Sequence, residues 1–347
     1  MVLEQKRNSH GQSRPAAPPF KENWQGEPRH VGVEIEFATV SPRQAAECVQ
    51  EIFGGELAAL TPHRIQVTGT SHGDFLVELD SQYIHRLESP DESPILAAEV
   101  DEWLRWFQSA LGEIVGDLAA TVIPCEIVCP PLRLEDMHLL DATIDALNRR
   151  GAAGTRENPL YAFGAQLNPD IARKEAEYIT SILKAYMLLS PWLREVIAVD
   201  MTRRVFAFAD PFPKAYIRRI TATDYWPTLE QLIDDYLWHN PTRNRELDLL
   251  PLFAWLDAPR VRASVTDPRI KSRPTFHYRL PDANFGIPDW TITREWNRWV
   301  EVERLAADKD KLREICEAFA EHESRFFKGW WSERVADLLG LPGPGHI

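Results

Sequence analysis

The chain has 347 residues, enough to bury a substantial core, and its net charge of −13 argues against the basic stripe that nucleic acid binding requires. Hydrophobic residues at 44% and charged residues at 26% are the proportions of a soluble globular protein, and no run reaches the roughly 18 apolar residues of a membrane span. A small ligand is the expected partner, with no nucleic acid and no membrane. Cys48, Cys125, Cys129 and Cys316 form no C-x-x-C pair, which predicts reduced, buried thiols and a cytoplasmic setting.

Residues 1–28 are polar and carry Pro15, Pro18 and Pro19, the composition of a mobile leader without an export signal. A strand is expected over 31–40. Ser41-Pro42 then caps a helix in which Ala45, Cys48, Val49 and Ile52 recur on one side until Gly54-Gly55. Short strands follow at 56–60 and 64–68, a turn at 69–73, and an alternating strand at 75–80 with Leu76, Glu78 and Asp80 on one face. The stripe Leu96, Val100, Leu104, Phe107, Leu111, Ile114 and Leu118 predicts a helix over 94–119. A strand at 121–129 and a helix at 134–150 come next. Residues 161–167 form a further strand, after which Asn168-Pro169-Asp170 opens a helix towards Val199, bent at Pro191. Helices are expected at 228–239, 244–257 and 308–339, and strands at 204–209, 275–280 and 297–303. Without repeats or regular βαβ alternation, the fold class is α+β: a mostly antiparallel curved sheet with helices packed on one side. A catalytic domain over 29–305 would carry a helical extension over 306–347, whose Phe326, Phe327, Trp330 and Trp331 read as core rather than as a partner surface.

Glu34 and Glu36 are two residues apart in an apolar strand, so both carboxylates lie on one sheet face. They either pair with arginines such as Arg29 or meet a hard cation, Mg2+ or Mn2+. Glu78 and Asp80 repeat the spacing, and Glu301 and Glu303 repeat it again, unless the latter two lie on a solvated strand face. Glu126 stands alone in an apolar strand, where an unpaired carboxylate is costly, so it either reaches water beside Pro124 or binds a cation. Asn168 fits a helix cap, whereas Gln166 has no such role and points to a ligand. Between Arg260 and Arg279 lies a positive island in an acidic chain, from which Arg273 and Arg279 are the expected anion ligands. The chain has no P-loop, no GxGxxG after a strand, no HExxH and no GxSxG.

The segment Val31-Gly-Val-Glu-Ile-Glu-Phe37 resembles the opening strand of the carboxylate-amine ligases of the glutamine synthetase fold, a group that includes glutamate-cysteine ligases and the putative amidoligases. Cys125-Glu-Ile-Val-Cys-Pro-Pro-Leu132 is similar to their second signature, and the putative amidoligase branch fits best. The resemblance implies a glutamine-synthetase-like domain in which Glu34, Glu36 and Glu126 hold Mg2+ against ATP phosphates, with Glu78 beside them and Glu301 on a later strand. Gln166 and Asn168 stand where that family often has a His-x-His pair, and its terminal Glu-x-Arg is altered, with Glu303 in the place of Arg and Arg304 following.

The expected activity is an ATP-dependent ligation of a carboxylate to an amine through an acyl phosphate, on an amino acid or peptide. Arg279, Arg273 and Glu301 are its candidate catalytic residues, Gln166, Asn168 and Glu78 its cofactor ligands, and Glu34, Glu36 and Glu126 its metal ligands. The alternatives are a binding protein of the same fold without turnover, and a metal-dependent hydrolase or transferase that does not use ATP.

Overall fold

The computed structural model describes residues 14–79, 124–155, 163–199, 209–325 and 330–343. In chain order, β1 (His30–Phe37) and α1 (Pro42–Phe53) precede β2 (Glu56–Thr61), β3 (Arg64–Thr68) and β4 (Phe75–Leu79). Then come β5 (Cys125–Val128), β6 (Leu132–Arg133), α2 (Met137–Arg149), β7 (Ala165–Pro169), α3 (Ala176–Ile197), α4 (Lys214–Thr221) and α5 (Leu229–His239). The rest is β8 (Leu247–Asp248), α6 (Leu250–Leu256), α7 (Ala258–Ser264), β9 (His277–Tyr278), α8 (Ile292–Ala307), α9 (Lys309–Ser324) and α10 (Trp331–Leu339). The described strands form one open sheet in the order β2-β3-β4-β5-β1-β7-β9-β8, with β6 pairing the start of β1. Every ladder between them is antiparallel.

Period-two alternation makes β1 the pivot of the molecule. Val31, Val33, Ile35 and Phe37 are buried in the core, while Gly32, Glu34 and Glu36 face the other way. The helix α1 covers β3, β4 and β5 on the core side with Ala45, Cys48, Val49 and Phe53. Its start follows from a capping box: Gln44 N donates to Ser41 Oγ at 3.3 Å, and Ser41 N donates to Gln44 Oε1 at 3.1 Å. Its end is Gly54, at φ +73°, a backbone region that glycine enters without strain. The almost wholly buried α3 is the hub of the helical layer and packs against α4, α8, α9 and α10. All four cysteines are free and buried. Among the described residues no helix is long and apolar enough to cross a membrane.

Several expectations change. Residues 297–303 are not a strand but the middle of α8. Local alternation there is overridden by burial of Ile292, Glu295, Trp296, Trp299, Val300 and Glu303 at helical spacing, behind Thr291 as a cap that accepts from Arg294 N at 3.0 Å. Asn168 and Pro169 do not open a helix; they lie in β7, opposite Gly32 and Val31. Pro169 is tolerated at that strand end because only its carbonyl is asked to bond, accepting from Phe276 N at 3.1 Å. The helix therefore starts later, at Ala176, and carries Pro191 inside it. The stretch 244–257 divides into β8 and the shorter α6, and 275–280 contributes only His277 and Tyr278 as a strand. The run 308–339 is two helices, α9 and α10, with Trp331 buried and Trp330 at 73% exposed. The helix expected at 94–119, Asp80, residues 204–208, Phe326 and Phe327 lie outside the described residues.

The segment 14–28, read from sequence as part of a mobile leader, is held to the body at several points. Ala16 N donates to Asn297 Oδ1 at 2.7 Å, Trp296 Nε1 donates to the Ala16 carbonyl at 2.9 Å, and the Trp24 ring lies 4.8 Å from that of Trp255.

Candidate functional site

The polar face of the sheet is built by register. Glu36 pairs with Glu126, and Glu126 pairs with Glu78, so three carboxylates stand side by side across β1, β5 and β4. Glu34 sits two residues from Glu36 on the same face, opposite Gln166 of β7. Cross-strand neighbours of like charge repel unless something compensates them. Part of the compensation is visible: Gly164 N donates to Glu36 Oε2 at 2.9 Å, Arg64 Nε reaches Glu78 at 2.9 Å, and Asn168 Nδ2 donates to Glu34 Oε1 at 3.0 Å.

From Glu34 a polar chain continues away from the carboxylates. Gln166 Nε2 donates to Asn168 Oδ1 at 2.8 Å and lies 3.3 Å from His277 Nδ1. The Leu167–Tyr278 pairing places Asn168 across from His277 and Gln166 across from Arg279, so β9 extends the same face. One strand further, Asp248 pairs directly with His277. Burial holds the His277 imidazole down to about 3, with Arg279, Arg273 and Arg243 adding to the shift, so the ring is neutral at physiological pH. Burial pushes the Asp248 carboxyl up to about 6, against the opposing pull of Arg279.

Facing the carboxylates is a wall of cations. Arg243, Arg269, Lys271, Arg273 and Arg279 line one cleft of about 410 Å³ together with Glu34, Glu36, Glu78, Glu126, Gln166 and His277. Arg269 is engaged by Asp267 at 2.6 Å, and Arg279 Nη1 donates to the Arg243 carbonyl at 3.0 Å. Lys271 and Arg273 have no ion-pair partner among the described residues, so this wall keeps positive charge for a ligand. A larger cavity of about 760 Å³ lies between segments 14–18 and 133–138, but its one carboxylate, Glu135, is matched by Arg133 at 3.5 Å.

The structure thus brings Glu34, Glu36, Glu78, Glu126, Gln166, Arg273 and Arg279 to one cleft, with Asn168 buried beside it as a ligand of Glu34. Glu301 does not line it: on α8 it pairs with Arg304 at 2.5 Å, and Glu303 is buried against Arg29. Because α8 is a helix, Glu301 to Arg304 cannot supply a terminal residue-x-Arg strand. His277 and Tyr278 do lie in the sheet, Arg279 follows directly, and His277 and Arg279 both line the cleft. Sequence reading missed His277, Arg243 and Arg64, and from the positive island it singled out neither Arg269 nor Lys271, which also line the cleft. The available signal was His277 between Arg273 and Arg279 in a strand-like run.

Carboxylate oxygens are the donors that Mg2+ prefers, and that ion commonly takes one or two protein carboxylates, completing its shell with water and phosphate oxygens. Among the described residues no three His, Cys, Asp or Glu side chains gather closely enough to hold a metal by themselves. The paired Glu36 and Glu126 meet the smaller requirement, so the donor set fits.

No curated protein and no solved structure matches the chain. A family model described as "putative amidoligase enzyme" matches residues 27–301, a span that takes in β1, β5, β7 and β9 with every carboxylate and arginine of the cleft. The chain belongs to the putative amidoligase family.

Proposed function

We propose that this protein is an ATP-dependent ligase that joins a carboxylate to an amine, on an amino acid or peptide, through an acyl phosphate. The observation that supports this most is the facing of two oppositely charged walls across one cleft, carboxylates from β1, β4 and β5 against cations from the 243–279 region. A polyphosphate bridged by a hard cation needs both walls, because neither alone balances its charge.

In this reading Glu34, Glu36 and Glu126 would hold Mg2+ ions, no single ion needing all three, with Glu78 beside them. When bound, the ion offsets negative charge on phosphate oxygens. Arg273 and Arg279 hold the phosphoryl group from the opposite wall through forked N–H donors. A substrate carboxylate oxygen attacks the terminal phosphorus and ADP leaves. The amine nitrogen then attacks the acyl carbon, phosphate leaves, the amine gives up a proton, and an amide or isopeptide bond remains. The glutamine-synthetase-like arrangement of the sheet belongs to this same proposal.

One observation favours a second reading, a nucleotide-binding protein without turnover: the Gln166 nitrogen and both polar atoms of Asn168 are engaged within the sheet, by one another and by Glu34. Phosphate release from Mg-ATP with pooled amino acids and small peptides separates the two, with Glu36→Gln as control. Substrate-dependent release that Glu36→Gln abolishes supports the ligase. Binding of Mg-ATP with no release in any pool favours the second reading.

A further inference from the structure

A carboxylate oxygen only accepts hydrogen bonds, so the contact between Asn168 and Glu34 fixes which end of the Asn168 amide points where. Nδ2 faces Glu34, and Oδ1 faces Gln166 and accepts from it. The same Gln166 nitrogen has a second N–H, and His277 Nδ1 lies within its reach. Nδ1 is therefore an acceptor, and the ring proton sits on Nε2. Nε2 is buried without a hydrogen-bond partner among the described residues, and so is Oδ2 of Asp248 on the directly paired position.

We infer that His277 is a positioning residue for Glu34, acting across three strands through the amides of Gln166 and Asn168. The chain works only in one sense. If Nδ1 carried a proton, it would meet the Gln166 N–H, and the Gln166 amide would have to turn over. Its oxygen would then face Asn168 Oδ1, Asn168 would turn in its place, and Glu34 would be met by an oxygen instead of an N–H. The imidazole thus determines that Glu34 Oε1 is tied to the sheet while Oε2 remains for a cation. Where the family resemblance implied direct ligands, this chain uses neutral groups to aim a single carboxylate. The proposal rests on the ligase reading only for the identity of the cation.

The test measures Mn2+ binding from the paramagnetic resonance of the free ion. Asn places Oδ1 where His has Nδ1, whereas Gln and Phe place no acceptor there. His277→Asn should bind within about twofold of the natural protein, and His277→Gln and His277→Phe about tenfold more weakly, the usual effect of removing an outer-shell partner. Equal binding by His277→Phe overturns the proposal. A second readout uses the unaltered protein: histidine 15N shifts should show the Nε2–H tautomer for His277, and Gln166→Leu should release it to a mixture. A fixed Nδ1–H form, or no response to Gln166→Leu, overturns the proposal. Absence of Mn2+ binding by the natural protein sinks the metal reading instead, and the tautomer experiment then decides the relay.

Discussion

Arg29 and Glu303, 274 residues apart in sequence, close on one another through two N–H···O bonds of 2.7 Å each, both side chains about 1% exposed. Trp299 Nε1 adds a third donor to Glu303 at 2.7 Å, and Arg29 also donates to the carbonyls of Phe20 and Asp170. This pair fastens the start of β1 to α8 and keeps Glu303 out of the cleft.

A buried charge left alone costs far more than the pair is worth. Arg29→Met should lower unfolding free energy by about 3–5 kcal/mol, read by urea denaturation. Adding Glu303→Leu should restore a large part of that loss. If the double variant is no more stable than Arg29→Met, Glu303 is not the group left stranded.

Removing the charge of either paired carboxylate should disable the proposed cation site while sparing the fold, because both residues are half-buried on the polar face of the sheet rather than in its core. Glu36→Gln and Glu126→Gln are each expected to reduce Mg2+-dependent phosphate release by about 100-fold or more, with little change in melting temperature. Retained turnover in both variants would remove these residues from the metal site.

Arg273 has an exposed side chain with no carboxylate partner among the described residues, so its loss should act on ligand rather than on stability. Calorimetric titration with Mg-ATP should show Arg273→Ala binding about tenfold more weakly, the worth of one charge-assisted hydrogen bond. Arg273→Lys should recover part of it, since charge survives and the fork does not. An unchanged dissociation constant for Arg273→Ala would place the phosphates elsewhere.

The neutral His277 ring makes stability depend on pH in a defined window. Its folded value is depressed to about 3 from 6.5, so the unfolded chain binds the proton more readily. The stability it contributes is complete above pH 6.5 and is lost as pH falls through that value towards about 3. Unfolding free energies measured across that range should fall more steeply for the natural protein than for His277→Asn, which has nothing to titrate there. Parallel curves would mean that the ring is not held neutral.

Much of the β1 to β4 region was legible because each signal is local. Ser41-Pro42 and Gly54-Gly55 bracket α1 as read, and the alternation that placed Glu34, Glu36, Glu78 and Glu126 on strands is a property of a few consecutive residues. The misreadings came from segments where distant partners outbid the local pattern. Residues 297–303 alternate like a strand, yet burial against α3 and the pairing of Glu303 with Arg29 stabilise a helix. Asn168-Pro169 has the form of a helix start, yet the ladder with β1 draws both into the sheet.

By itself the sequence determined which residues bear charge and that Glu34, Glu36, Glu78 and Glu126 stand on strands, because side-chain alternation is built into the extended backbone. It also carried the family, through the Glu-x-Glu strand and the Pro-Pro-Leu segment. Only the tertiary structure decided which charges meet. Register across β4, β5 and β1 set Glu78, Glu126 and Glu36 in one row, and the pairing of β7 with β9 brought His277 within reach of Gln166. Those pairings join residues far apart in the chain, and their energies come from cross-strand hydrogen bonds and packing that no short stretch of sequence contains.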